Sequence, residues 1–230
     1  MIAFIFARGG SKGVANKNIR LINGKPLIGL AIDMAMSIDR ITEVVVSTDS
    51  LEIAEVAIGF GAKVPFMRPP ILAEDDTSEW LAWRHALMQI QNLRGKMPET
   101  FISIPTTAPL RNASDIERCI DEFERNNFDF VITVNESQRS PYFNMVKISQ
   151  SGEVSLFDPS FKSVSRRQDA PKVYDITTVC YVGSSEFIMK SDNFFEGRVG
   201  AIQIPLERSL DIDTELDLEI SELILNRGTK

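Results

Sequence analysis

Two stretches of the chain carry side chains able to do chemistry on phosphate. Residues 7–18 read Ala7-Arg8-Gly9-Gly10-Ser11-Lys12-Gly13-Val14-Ala15-Asn16-Lys17-Asn18, three glycines and three cations directly after the apolar run Ile2–Phe6. Glycine lets a backbone approach a phosphate without interference from Cβ, and exposed N–H groups in such a loop form an anion nest. Far along the chain, Asp211-Ile212-Asp213 sets two carboxylates two residues apart. In an extended segment they share a face while Ile212 takes the other. Paired hard oxygen ligands, with room for water and phosphate oxygens, suit Mg²⁺. Asp213 also directly precedes Thr214-Glu215-Leu216, where it would serve equally as a helix cap, with Asp211 solvated.

The charge distribution isolates the first stretch. The first acidic residue is Asp33, and Arg8, Lys12, Lys17, Arg20 and Lys25 precede it, so this segment is +5 in a chain of net −7. An acidic protein with one basic, glycine-rich loop is suited to a small polyanion. Its balance argues against nucleic acid as a partner, because phosphate backbones are held by broad basic surfaces. The loop is neither G-x-x-x-x-G-K-[ST] nor G-x-G-x-x-G, which excludes the kinase-type P-loop and the dinucleotide fingerprint. A plain strand-to-helix turn with solvated lysines is the competing reading. Without a serine beside a second histidine there is no triad; His85 stands alone in a helical stretch with Trp80 and Trp83, which read as core. Cys119 and Cys180 have no metal-ligand neighbours and read as buried thiols of a reducing compartment. No apolar run approaches the ~20 residues that span a bilayer, and Arg8 and Lys12 interrupt any leader-like stretch. The expectation is a soluble, cytoplasmic protein with no membrane partner.

The elements that must hold these residues alternate. Strands are expected at 2–6, 43–47, 62–66, 101–104, 130–134, 178–182 and 199–204. Helices are expected at 26–38, 51–60, 77–93, 114–126 and 214–225, from three- and four-residue apolar spacing and from capping and proline signals. Pro69-Pro70 forbids a helix in the loop 67–76. This is an α/β pattern, a mostly parallel doubly wound sheet whose ligands bind beyond the carboxyl ends of its strands. That rule places Arg8, Ser47-Thr48-Asp49 and Pro105-Thr106-Thr107 along one crevice. From about residue 140 the pattern changes: 142–148 and 153–157 around Ser151-Gly152 read as a β-hairpin, so residues 141–173 form an excursion from a single domain spanning 1–230.

Residues 7–13, followed by Asn16-Lys17-Asn18 and Gly24-Lys25-Pro26-Leu27, resemble the opening of the acylneuraminate cytidylyltransferases, the CMP-sialic acid synthetase family. Later segments recur in the family's order, so the resemblance covers nearly the whole chain. It implies a nucleotide-diphospho-sugar transferase-like fold and an Mg²⁺-dependent nucleotidyltransferase. Such an enzyme joins CMP from CTP to an acidic α-keto sugar, a sialic-acid-like nonulosonate, and releases pyrophosphate. It also implies a homodimer, assembled through the 141–173 excursion. Ser209 to Thr214 is similar to the family's second metal-binding motif, which gives Asp211 and Asp213 the magnesium and, with Arg8 and Lys12, the catalytic roles. Ala7, Arg8, Gly9, Gly10, Ser11, Lys12 and Lys17 would then hold the triphosphate. Asn18, Arg68 and Asp75, the last two from a segment resembling the nucleotide-reading loop, would face ribose and cytosine. Thr106, Thr107 and Arg111, with Arg166, Asp175 and Phe194, would fall on the sugar side. Two departures stand there. Ile104 replaces the usual glutamine, and Asp175-Ile176-Thr177-Thr178 replaces the usual Arg-Pro-Asn-Gly, so that Asp175 puts a like charge where an anion partner is expected. A nucleotide-binding homologue without transferase activity, or a cytidylyltransferase for a different sugar acid, are the alternatives these departures leave.

Overall fold

The computed structural model describes residues 1–10, 13–161 and 166–227. The chain opens with strand β1 (Ile2–Phe6), then the glycine-rich loop and a 3-10 turn at Lys17–Ile19. A two-stranded ribbon follows, β2 (Leu21–Ile22) and β3 (Lys25–Pro26), before helix α1 (Leu27–Met36). The ribbon's turn is Asn23-Gly24, with φ of 49° and 77°, the paired left-handed geometry that Asn-Gly adopts at low cost. Next come β4 (Glu43–Ser47), α2 (Leu51–Gly59), α3 (Glu79–Arg94), β5 (Thr100–Ser103), α4 (Ala113–Arg125) and β6 (Phe130–Glu136). A hairpin, β7 (Val146–Ile148) and β8 (Val154–Leu156), leads to β9 (Tyr174–Ser184), α5 (Ser185–Lys190), β10 (Val199–Gln203) and α6 (Glu215–Arg227).

Six strands form the main sheet in the order β10-β6-β9-β5-β1-β4. Pairs β1–β4, β1–β5 and β10–β6 are parallel, whereas β9 runs antiparallel to both β5 and β6. The sheet is therefore mixed and mainly parallel, with one reversed strand at its centre. The expected strand at 62–66 is reduced to one parallel bridge, Val45 to Lys63. Pro70, barred from an α-helix interior, instead opens a 3-10 turn, Pro70–Leu72, since proline is preorganised for a first helical position.

Alternation along the strands builds a core on each face. Ala3, Ile5, Val44, Val46 and Val182 pack with Ile28, Ile32, Ile53, Ile116 and Ile120 from α1, α2 and α4. Phe4, Val45, Phe101 and Phe130 face Trp80, Trp83, Ile90 and Ile188, with Trp83 stacked on Phe130 at 5.7 Å between centroids. Burial of each such large side chain contributes about 1.5–3 kcal/mol. A third cluster joins Val14, Ile22 and Leu27 to Ile212 and Leu218. It fastens the segment after β1 to the approach of α6, and so brings the two chemically loaded stretches together. Among the described residues no helix is long and apolar enough to cross a membrane.

Candidate active site

A cleft of about 480 Å³ opens beside the carboxyl ends of β1 and β5, within the size range of small-molecule sites. Its lining includes Phe6, Arg8, Gly13, Lys17 and Asn18 from β1 and the segment after it, and Arg68, Leu72, Asp75 and Glu79 from the stretch that leads into α3. Pro105, Thr106, Thr107, Thr178, Asp211 and Asp213 close it.

The glycine loop and the aspartate pair touch. A Cβ added to Gly13 would lie 1.9 Å from the Asp213 carbonyl oxygen, so only glycine permits this approach. Lys17 Nζ donates to the Ile212 carbonyl at 2.7 Å and lies 3.3 Å from Asp213 Oδ1. The Ile212 N–H donates to the Thr107 carbonyl at 2.9 Å, and its side chain is fully buried. Asp211 and Asp213 therefore flank a fixed residue and both line the cleft. The cap of α6 is made without the Asp213 carboxylate. Asp217 Oδ2 accepts from the Thr214 N–H at 2.7 Å and the Asp213 N–H at 3.1 Å, and the Asp217 N–H donates to Thr214 Oγ1 at 3.3 Å. This reciprocal box satisfies the helix end. Desolvation would raise the Asp217 carboxyl, but its hydrogen bonds from Thr214 and Asp213 outweigh that and hold it below its ordinary range.

Asp211 is oriented by a hydroxyl relay. Thr107 Oγ1 donates to Thr178 Oγ1 at 3.2 Å, and Thr178 Oγ1 donates to Asp211 Oδ1 at 2.9 Å. As a donor set for magnesium, two carboxylates on one cleft wall fit an ion that takes one or two protein carboxylates and completes its shell with water and substrate phosphate. No group of three or more acidic, histidine or cysteine side chains able to hold a metal occurs among the described residues, so substrate oxygens would have to supply the remainder.

The cations are held in place by acids. Arg8 Nη1 lies 2.7 Å from Asp75 Oδ1 and donates to the Ala73 carbonyl at 3.3 Å. The Gly9 N–H donates to Asp49 Oδ1 at 2.9 Å, so one N–H of the expected anion nest is already committed to a carboxylate. Asn18 Nδ2 donates to the Arg8 carbonyl at 2.8 Å, and Thr106 Oγ1 donates to Asn18 Oδ1 at 2.5 Å. Arg68 is buried, donating from Nε and Nη2 to Ser47 Oγ and the Ser47 carbonyl at 3.2 and 2.5 Å. Its guanidinium lies 5.6 Å from the Phe6 ring centroid, and desolvation lowers its pKa.

Not every expected site residue reaches the cleft. Ser11 and Lys12 lie outside the described residues. Arg111, expected to face a sugar acid, is buried beneath its loop and donates to the Ala108 and Pro105 carbonyls. Burial draws its pKa down to about 10, and its side chain buttresses the 105–110 turn. Arg166 is exposed and 3.5 Å from Asp169, and Asp175 is exposed beside Asn135 in the β6–β9 ladder. Phe194 stacks on Phe130 in the core, 5.8 Å between centroids. Within one chain none of these three lines the cleft. Conversely, Thr178 and Glu79 line it without having been singled out for any role. Thr178 entered the sequence reading only as part of a departure, and Glu79 follows a serine at a helix start with nothing to mark it. Asp49 was visible only as a residue beyond a strand end.

The chain matches the cytidylyltransferase family over residues 2–219. It is 36% identical over 226 residues to the CMP-N,N'-diacetyllegionaminic acid synthase of Campylobacter jejuni, covering 98% of this chain and 95% of that one. It is 31% identical over 223 residues to a pseudaminic acid cytidylyltransferase from the same species, covering 97% and 95%. Among solved structures it resembles a CMP:2-keto-3-deoxy-manno-octonic acid synthetase complexed with CTP, with a TM-score of 0.70 at 16% identity over 99% of this chain and 98% of that one. The last likeness is one of fold.

Proposed function

The chain belongs to the cytidylyltransferase family, and on that footing we propose that it transfers CMP from CTP to an acidic α-keto sugar with release of pyrophosphate. The observation that carries this reading is the contact of Gly13 with the Asp213 backbone, which makes one site of a phosphate-suited loop and a carboxylate pair. Relatives of comparable similarity are named for two different sugars, legionaminic and pseudaminic acid. The proposal therefore commits to the class of sialic-acid-like nonulosonates.

In this reading Arg8, Lys17 and Lys12, with backbone of the glycine loop, hold the triphosphate and stabilise the charge that grows on departing pyrophosphate. Asp75 releases Arg8 as phosphate arrives. Asn18 and Arg68 orient ribose and base, and Thr106 and Thr107 face the acceptor. The acceptor hydroxyl attacks the α-phosphorus in line, so positioning and electrostatic stabilisation suffice without a covalent protein intermediate. Magnesium held by Asp211 and Asp213 would neutralise phosphate charge and orient attacker and leaving group.

The proposed assembly is a homodimer. Phe143, Val146, Ile148, Val154, Phe157 and Phe161 are exposed on the 141–173 excursion, and an isolated two-stranded hairpin is marginal in water.

A nucleotide-binding protein without transfer is the second reading. The burial of Arg111 and the position of Asp175 favour it, since they leave the acceptor side of a single chain without the expected cation. One experiment decides: CTP and Mg²⁺ are incubated with a panel of eight- and nine-carbon keto acids, and pyrophosphate is measured. Release that depends on one of the nine-carbon acids supports transfer; CTP binding without release on any acceptor supports the second reading.

A further inference from the structure

The cleft contains an acid that the proposed chemistry leaves without a task. Glu79 is the first residue of α3, fixed there by the Ser78 N-cap, whose Oγ accepts from the Trp80 N–H. The preceding turn is tied by Thr77 Oγ1 donating to the Ile71 carbonyl at 2.8 Å. Glu79 is exposed and lines the cleft. Desolvation raises its pKa, Trp83 and Arg68 oppose that, and Asp211 adds to it. Trp83 Nε1 is buried and makes no hydrogen bond of good geometry, so this tryptophan tempers the carboxyl without fully satisfying it.

A carboxylate is acceptor-only, and it repels both a triphosphate and the carboxylate of an acidic sugar. Of the groups such substrates carry, it favours a neutral one with an N–H or O–H to give, and its apolar neighbours favour a flat one. The surroundings agree. Phe6, Leu72 and Ala82 line the cleft with Glu79, giving apolar surface for a planar ring, and Arg68 lies against the same Phe6. Arg8 and Lys17, proposed above to hold the phosphates, line the same cleft from the segment after β1.

We propose that Glu79 is a specificity-determining residue that reads the base of the nucleotide, accepting a hydrogen bond from the exocyclic 4-amino group of cytosine. The inference rests on the CTP reading above and adds the means of rejecting UTP. Cytosine presents an amino donor at this position, whereas uracil presents a carbonyl acceptor. A carboxylate facing that carbonyl leaves two acceptors opposed and unpaired, and a site built on one hydrogen bond discriminates strongly against the analogue that lacks it.

The test measures binding by calorimetry for CTP, UTP and the triphosphate of 2-pyrimidinone riboside, which lacks the amino group. Wild-type protein is compared with Glu79→Gln, whose amide can turn a donor toward a carbonyl. Wild type is expected to bind CTP at least about 100-fold tighter than UTP, with the deaminated analogue well below CTP. Glu79→Gln, folded by circular dichroism, is expected to cut the CTP-to-UTP ratio at least about tenfold. An unchanged ratio in the folded variant overturns the assignment, as does wild-type protein that binds the deaminated analogue as tightly as CTP. The analogue arm stands alone if the variant does not fold. Loss of turnover in Glu79→Gln with the ratio intact also overturns it, and points to the acceptor instead. Wild-type protein that binds neither CTP nor UTP removes the nucleotide reading itself, a different failure from CTP binding without base discrimination.

Discussion

The α-carbon of Gly13 faces the backbone carbonyl of Asp213 so closely that a methyl group there would stand 1.9 Å from the oxygen. Two segments separated by most of the chain are thereby held in register, with Val14 and Ile212 buried together beneath them. Gly13→Ala is expected to push the 211–213 segment away and to lower pyrophosphate release at least about 100-fold, the usual cost of ångström-scale misplacement of reacting groups. Gly59→Ala, at the end of α2 outside the cleft lining, where an added Cβ meets nothing within 4 Å, is the control. Steady-state assay of both variants checks the pair.

Arg8 is paired with Asp75 at 2.7 Å. Arg8→Ala is expected to reduce turnover about 100-fold or more, as loss of a charged transition-state donor does, with an unchanged circular dichroism spectrum. The exposed pair itself contributes little to stability, so thermal unfolding of Arg8→Ala is expected to stay close to wild type, a change of about 0.5 kcal/mol or less. A large loss of stability without loss of rate would reverse both assignments.

Thr178 Oγ1 donates a hydrogen bond to Asp211 and accepts one from Thr107. Thr178→Val is expected to raise the magnesium concentration for half-maximal activity by about 10-fold or more, the scale seen when a group orienting a metal ligand is removed. Thr178→Ser restores the donor and is expected to recover most of the loss. Titrating Mn²⁺ binding by electron paramagnetic resonance reads the same shift without turnover.

The excursion carries an exposed apolar face that includes Ile148 and Val154, paired across the hairpin. Replacing both with aspartate is expected to convert a dimer to a monomer in sedimentation experiments. A monomeric wild-type protein at micromolar concentration would refute the proposed assembly.

Much of this was legible in the sequence because the informative residues are local in it. The glycine loop and the Asp-Ile-Asp triplet declare themselves by type and spacing, and the strand-end rule places Thr106 and Thr107 in the crevice. The direction of β9 was not legible: Val179, Cys180 and Val182 are buried whichever way the strand runs. Arg111 looked like a cation for an anion, yet whether an arginine after prolines faces out or underneath is decided by packing that no spacing records. The partners of Gly9 and Asp211 are long-range contacts, to Asp49 and Thr178, with no local signature. Asp213 was open between metal and helix cap until Thr214 and Asp217 proved to make the cap between them.

The central claim is that the loop after β1 and the aspartates before α6 grip one nucleotide triphosphate. A crystal structure with CTP and Mg²⁺ tests it most directly. The account predicts phosphate oxygens in hydrogen-bond contact with Arg8 and Lys17, and the ion between those oxygens and the carboxylates of Asp211 and Asp213. A nucleotide seated away from this cleft, or Arg8 still bound to Asp75 with the phosphates elsewhere, would contradict it.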